Sequence, residues 1–497
     1  MSRGATPGPE ESASAACLAR LRERLAADRS SERENDRDAA AGDASSLPAV
    51  RPDFVVWPES ADEVVEIVRA AADLGVPLTA RGGGSSLEGN PIPLARGGVL
   101  DFTRMQRVLE VSPDELLVRV EPGVVYSALN RALRPHGLFF PVSPGGSSDV
   151  ATIGGMAANN ASGIYAVKYG ATRAHVRQAT VVTGRAERLT LGSRCRKTSS
   201  GYDLLDLVIG SEGTLAVITE LTLALAGLPA ERRERVFAFA DDASAARAVV
   251  ALLRYRVDVA AVEFVDRESV RAVNRAQRLA VEEAPLLFLE AHGSASQVSE
   301  ADAAMQDLAA DEGGRLVELE GGASPWGIRH LVTRSIETDR DDRPGGGGVP
   351  ATRPGSRPAT MRADLAVPVP ALPGLLEAVR AIAARRGIAV FCFGHAGLGI
   401  IHVLARVAAD TRLGAERGVP TADTVAAGAP EQTLREEIVT AALALGGSLS
   451  GEHGIGLGNR ASFSLEHGAG EVALMRAVKQ AFDPHGILNP GKIWPPE

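Results

Sequence analysis

Arg81-Gly82-Gly83-Gly84-Ser85-Ser86-Leu87-Glu88-Gly89 decides how the rest of this chain is read. Glycines at this density bring backbone N–H groups close enough to cradle a pyrophosphate. The Rossmann form of that device fails on inspection. Leu87 stands where its third glycine belongs, and Pro91 and Pro93 prevent the helix that should follow. The lysine of a phosphate-binding P-loop is missing as well. Upstream, Ser60 and Glu63 form a capping-box signature, and Val64, Ile67, Val68, Ala71 and Leu74 make one helical face that ends at Gly75. A short strand, Val76 to Ala80, then delivers the chain to Arg81.

Downstream the pattern predicts extended pieces at Gly98 to Phe102 and Leu116 to Val120, a helix from Val125 to Arg134, and a strand within Leu204 to Leu225. Between them lies a segment rich in Gly, Ser and Asn, Pro141 to Gly170, too long for a mere connection and read as a functional loop. Pro229 to Arg235 reads as a charged linker. After it strands and helices alternate to Glu320, the cadence of a second α+β domain with an antiparallel sheet and helices on one face. Asp339 to Thr360 interrupts that cadence with four consecutive glycines, Gly345 to Gly348, and several prolines. The predicted organisation is a mobile leader at 1–47 with one short helix near Ala16 to Ala27, and a first domain at 48–227. A second domain follows at 228–484, with a flexible insertion at 339–360, and a C-terminal segment at 485–497 returns to the first domain.

Composition narrows the classes. The chain has 497 residues, 45% of them hydrophobic, and a net charge of -9, which describes a globular protein of several domains. Aromatics are only 4% and no basic block interleaves with them, which argues against nucleic-acid binding. Cys17, Cys195 and Cys392 are far apart, with no spacing of a zinc ribbon, iron–sulfur site or disulfide framework, and this reads as a reducing compartment. No apolar run is long enough to span a bilayer, and residues 1 to 48 lack the apolar core of a signal peptide. The expected location is cytoplasmic, with peripheral membrane association allowed.

Two glycine-flanked histidine clusters stand near the C-terminus: Gly394-His395-Ala396-Gly397-Leu398-Gly399-Ile400-Ile401-His402 and Ser450-Gly451-Glu452-His453-Gly454-Ile455-Gly456. Three imidazoles and a carboxylate in compact, glycine-rich settings offer metal ligands or a general base, an arrangement no core requires.

Taken together, the 81–89 stretch, Pro144-Gly145-Gly146-Ser147, the run Thr152 to Gly163, Lys168-Tyr169-Gly170, Gly210 to Thr219 and Asn489-Pro490-Gly491-Lys492-Ile493 resemble, in order and spacing, the flavoproteins of the vanillyl-alcohol oxidase and p-cresol methylhydroxylase superfamily. Within it the chain looks most like the FAD-linked D-2-hydroxy-acid dehydrogenases: cytochrome-type D-lactate dehydrogenase, the glycolate oxidase flavin subunit and D-2-hydroxyglutarate dehydrogenase. The resemblance implies an α+β fold with a p-cresol methylhydroxylase-type FAD-binding domain and an antiparallel-sheet cap domain. It implies FAD contacts from Arg81, Gly82, Gly83, Gly84, Ser85, Ser86, Leu87, Pro144, Gly145, Thr152, Gly154, Gly155, Asn160, Ser162, Gly163, Glu212, Ile218 and Asn489.

In such enzymes the hydroxyl proton goes to a base and the hydride from the same carbon goes to flavin N5. By the resemblance His453 is that base, Arg329 and Arg362 hold the substrate carboxylate, and His395, His402 and Glu452 ligate a divalent metal (Zn, Mn or Fe). It further implies a lactate-like or glycolate-like substrate, a homodimer, and an external electron acceptor: a quinone, a cytochrome or an electron-transfer flavoprotein. The chain departs from the family in its first cluster. The usual Gly-Asp-Gly-Asn is here Gly397-Leu398-Gly399-Ile400, and Leu404 replaces a frequent polar residue. Loss of such orienting groups commonly weakens metal binding about 10 to 100-fold, so metal occupancy is the expectation most exposed to failure. Those apolar replacements also keep a flavoprotein without substrate chemistry, serving as an electron-transfer or binding subunit, among the readings. A non-redox flavin enzyme of the alkylglycerone-phosphate synthase type ranks lower, because Ser450-Gly451-Glu452-His453 stands where that family has a histidine-rich tract.

Overall fold

The computed structural model describes residues 9–319, 324–338, 359–407 and 430–495. The helix Ala61–Leu74 starts as its sequence dictates. The Ser60 hydroxyl accepts from Glu63 N at 3.2 Å, and the chain leaves through Gly75 at φ 66°. Its face of Val64, Ile67, Val68 and Ala71 is buried between two sheets. One sheet holds Phe54–Val56, Gly98–Asp101 and Leu78–Arg81 as parallel neighbours. The other is an antiparallel five-stranded sheet in the order Val108–Ser112, Leu117–Val120, Ala216–Ala224, Val176–Thr183, Arg188–Gly192. Val182 and Val217 of that second sheet join the core beneath the helix.

From residue 9 onward the leader folds against the first domain. The helix Pro9–Arg22 buries Cys17, Leu18 and Leu21 in the core of Ala61–Leu74, Leu25 follows them, and Ser30–Ser31 pairs with Phe54–Val56. These few apolar residues fall on one helical face, a stripe that the surrounding acids and arginines hide from a composition reading. The Pro141 to Gly170 segment is also more ordered than a loop. Thr152 caps a helix, Ile153–Asn159, by accepting from Gly155 N at 3.3 Å, and a further turn forms at Ala166–Tyr169.

The second domain is built on a seven-stranded antiparallel sheet in the order Arg315–Leu316, Glu231–Ala238, Leu286–Gly293, Val259–Val265, Val390–Gly394, Ile400–Val407, Ala359–Ala366. The charged stretch 229–235 is thus largely strand. Its charges face outward or pair, as Arg235 does with Asp302 at 2.6 Å. Helices cover both faces of the sheet, not one. Asp242–Arg254, Ala295–Asp311, Leu372–Arg386 and Pro430–Ala444 pack on the first face, and Arg267–Gln277 and Pro325–Thr338 on the second. The signal was present in Val259–Val265, where every residue is buried and all but Glu263 are apolar, because a strand apolar on both faces needs cover on both sides. Of the 339–360 insertion, residues 339–358 lie outside the described residues, and Ala359 and Thr360 open the edge strand. The C-terminal segment adds to the first sheet: Leu78 N donates to Ile487 O and Asn489 N to Leu78 O at 2.7 Å.

Candidate active site

Strand periodicity places the site on the sheet's second face. Side chains alternate along a strand, so directly paired residues share a face. Asp364 pairs with His402 and His402 with Phe393, while Arg362 pairs with Leu404 and Leu404 with Phe391. These six therefore form two adjacent rows on the same side. On the next strand, Val265 pairs with Phe393, which puts Glu263, two residues earlier, on that side too.

The glycines of the first cluster serve the backbone. A Cβ on Gly394 would lie 2.6 Å from Ile400 O, and one on Gly399 would lie 2.0 Å from Val367 O, at φ 155° and 74°. Only glycine lets the chain reverse this tightly between Val390–Gly394 and Ile400–Val407, and the reversal sets His395 beside His402 with ring centroids 5.4 Å apart. Ile400, which replaces an amide, packs on Gly451 of the second cluster.

The second cluster hangs between the domains. Asp364 Oδ2 accepts from Glu452 N and His453 N, both at 2.7 Å, and Asp364 O accepts from Gly451 N at 2.9 Å. From the other side, Glu212 Oε1 accepts from Ile455 N at 2.7 Å and Oε2 from Gly456 N at 2.8 Å. Asn159, at the end of a first-domain helix, donates to His453 O at 3.3 Å. The loop carrying Glu452 and His453 is therefore held to one geometry by buried carboxylates from both domains.

His395 Nε2 lies 3.2 Å from Glu452 Oε1, and His402 Nε2 lies 3.6 Å from the same oxygen. Behind them, His395 Nδ1 meets Glu263 Oε1 at 2.6 Å, and His402 Nδ1 lies 3.2 Å from Asp364 Oδ1. The latter contact falls short of hydrogen-bond geometry, and both of its atoms are buried without another partner. Burial works against a charge on His395, but Glu263 and Glu452 outweigh it and raise its pKa to about 10. Burial likewise opposes ionisation of Asp364, yet His453 and His402 hold its carboxyl well below the usual range. The donor set of two imidazole Nε2 atoms and one carboxylate suits a divalent first-row cation, with a carboxylate behind each imidazole. Glu263 thus hydrogen-bonds His395, and Asp364 stands close behind His402, on the side of each imidazole where Leu398 and Ile400 offer no polar group.

One cavity of about 480 Å³ joins this cluster to the glycine loops. Among the expected residues, Gly82 through Leu87, Pro144, Gly145, Thr152, Gly155, Ser162, Gly163, Glu212, Arg329, Arg362, His395, His402, Glu452 and His453 line it. The other five play supporting parts. Arg81 donates to Gly42 O at 2.5 Å beneath the loop, and Gly154 packs on Pro122. Asn160 ends a helix and accepts from Arg173 N, and Ile218 lies in the core of the five-stranded sheet. Asn489 donates to Glu212 O at 2.7 Å and to Asn90 O at 3.0 Å, buttressing the cavity wall.

Arg329 is buried and donates through Nε to Glu263 Oε2 at 2.8 Å, with Nη2 equally close. Arg362 pairs through Nη2 with Glu337, and its Nη1 is buried without a partner. Sequence reasoning missed Glu263, Asp364 and Glu337. Each had a signal: the first two are lone acids inside apolar strands, and Glu337 falls on one helical face with Arg329, His330, Thr333 and Arg334.

Residues 228–493 match the family of FAD linked oxidases, C-terminal domain, and residues 52–192 match an FAD binding domain. A probable mitochondrial D-lactate dehydrogenase of Danio rerio is 33% identical over 449 residues, covering 89% of this chain and 84% of the relative. A glycolate oxidase subunit of Bacillus subtilis is 29% identical, covering 93% and 94%. Among solved structures, p-cresol methylhydroxylase with substrate bound superposes with a TM-score of 0.75 at 17% identity, covering 98% of this chain and 97% of that one. Alkyldihydroxyacetonephosphate synthase superposes with a TM-score of 0.72 at 19% identity, covering 99% and 86%. Likeness at such identities shows the fold, the α+β architecture expected from the sequence.

Proposed function

The chain belongs to the FAD-linked oxidases, and from that premise we propose that it oxidises a D-2-hydroxy acid of the lactate or glycolate kind to the 2-oxo acid. The observation that carries the reading is the single cavity in which the glycine loops and the His395, His402, Glu452 and His453 cluster meet. The loops fit the cofactor on structural grounds. Ser162 Oγ is buried at the cavity wall without a partner, and the glycine backbone leaves main-chain groups as the contact surface. Bound there, FAD supplies the acceptor for the hydride of the substrate carbon.

The chain's own residues do the rest. Arg362 Nη1, buried and without a partner, offers the substrate carboxylate a charge-assisted donor, and Arg329 adds positive charge while Glu263 fixes its orientation. His453 takes the hydroxyl proton. Its ring stacks on His402 at 5.1 Å, and its nitrogens stand 3.8 Å from Asp364 and 3.8 Å from Glu452, beyond hydrogen-bond reach, so the base is positioned by its neighbours without being consumed by them. His395, His402 and Glu452 would hold a divalent cation facing the substrate oxygens, where its charge would favour the deprotonated hydroxyl.

No helix of the described residues is long and apolar enough to cross a membrane. The electrons leave to an external acceptor, a quinone, cytochrome or electron-transfer flavoprotein, from a cytoplasmic or peripherally bound homodimer. The test is anaerobic titration of the FAD-loaded protein with paired D- and L-hydroxy acids. Bleaching by the D-acids supports the reading, and a flavin that stays oxidised across a broad panel refutes it. The variant His453→Ala should lose at least 100-fold in the rate of flavin reduction.

A further inference from the structure

Resting on that reading, we propose that Glu337 and Leu404 restrict the substrate to monocarboxylates with an apolar side chain, Glu337 acting as the group that turns away a second carboxylate. Arg362 and Leu404 are direct cross-strand partners on the cavity face, two register positions along from Asp364 and His402 and next to them on that face. A substrate whose hydroxyl lies at His402 and Glu452 and whose carboxylate meets Arg362 must therefore run its side chain past Leu404. Leu404 is buried, packs with Phe391 and Phe393, and offers no hydrogen bond. A charged end placed against these three would lose its water and gain no partner.

Glu337 completes the exclusion. It reaches the cavity from the helix Pro325–Thr338 and pairs with Arg362. Arg329 is likewise committed to Glu263. Arg362 and Arg329 thus each have a carboxylate partner already, which leaves one substrate carboxylate a donor at Arg362 Nη1 and sets the Glu337 charge against any other. The other basic side chains of that helix, His330 and Arg334, line the cavity at solvent-exposed positions. An ion pair there is screened and cannot offset repulsion deeper in. Selectivity of this kind is a difference between two affinities, built here by a repulsive and a desolvating element together.

Two readouts test the proposal in the FAD-loaded protein. One is the rate constant of anaerobic flavin reduction over KM for D-lactate and D-2-hydroxybutyrate against D-malate and D-2-hydroxyglutarate. The other is the dissociation constant of the unreactive products pyruvate and 2-oxoglutarate, read from the shift of the flavin absorbance. Wild type should favour the monoacids at least about 100-fold in both. Glu337→Gln should cut that preference about tenfold, mainly by lowering KM for the diacids, and Glu337→Asp should restore it. Leu404→Asn should cut it independently. A wild-type preference for a diacid, or a preference unchanged within twofold in Glu337→Gln, overturns the proposal while leaving the oxidation of hydroxy acids intact. Failure of every hydroxy acid to reduce the flavin overturns both.

Discussion

Replacing Asp364 with Asn is the most informative single change, because it keeps the side chain's size and removes one property. With its amide oxygen turned toward Glu452 N and His453 N, asparagine keeps both 2.7 Å contacts, now as neutral hydrogen bonds. Hydrogen bonds to charged acceptors contribute about 1.5–3 kcal/mol against about 0.5–1.5 for neutral pairs, so the two together lose about 2 kcal/mol. Relief of burying a charge offsets part of that. The larger effect falls on His402. The amide nitrogen would then face His402 Nδ1, where Asp364 Oδ1 lies 3.2 Å away. A donor in that place favours the tautomer with its proton on Nε2, the nitrogen that points toward Glu452 and the candidate cation site. Affinity for Zn²⁺, measured by competition with a chromogenic chelator, should fall about 10 to 100-fold, or about 1.4–2.7 kcal/mol. Thermal unfolding of the same variant separates this from loss of fold. Zinc affinity within twofold of wild type in a folded Asp364→Asn protein would refute the assignment of Asp364 as the residue that orients His402.

Four other outcomes are expected. Gly83→Ala places a Cβ 1.8 Å from Val150 O and should weaken FAD binding at least tenfold by flavin titration, whereas Gly470→Ala, away from the cavity with nothing within 4 Å, should bind FAD like wild type. Leu21→Ala should cost about 2–5 kcal/mol in urea unfolding, because Leu21 is fully buried; a loss under about 0.5 kcal/mol would mean that the N-terminal helix does not dock. Glu263→Gln should raise KM for the hydroxy acid and weaken Zn²⁺ binding together, since Glu263 serves both Arg329 and His395; a change in only one would show that the two are not coupled. Lys492 is buried against the carbonyls of Asn90 and Ile92, and burial lowers its pKa from 10.5 to about 7. Above that folded value and below 10.5 the unfolded chain binds the extra proton, so this group's contribution to stability rises as pH rises from 7 toward 9, by up to about 1.4 kcal/mol per pH unit. Unfolding of Lys492→Met over that range should lack this slope, and equal slopes in the two proteins would refute it.

Much was legible in one dimension because its causes are local. The cap at Ser60, the helix face of Ala61–Leu74, the alternation of strands and helices after residue 236 and the ordered glycine segments all depend on spacing within a few residues. Errors fell where distant partners decide. A stretch as charged as 229–235 becomes strand once Leu286–Gly293 and Asp302 satisfy it, and the N-terminal helix is ordered only because Ala61–Leu74 offers a face to cover. Helices occupy both faces of the large sheet because its central strands bury apolar side chains on both sides.

The same division runs through the site. Residue type and order were enough to single out His395, His402, Glu452 and His453, which the fold brings into one cavity with the glycine segments. Their supports could not be found that way. Glu263, Asp364 and Glu212 come from strands and turns about 90 to 240 positions away from the residues they bond and meet the clusters only through sheet register and domain docking. The first-cluster loop lacks polar residues, yet each imidazole has a carboxylate behind it, because such a carboxylate need only be near in space. Sequence alone therefore determined which groups could react, and tertiary structure decided which neighbours hold them, since burial and hydrogen-bond geometry belong to the folded arrangement and not to the chain.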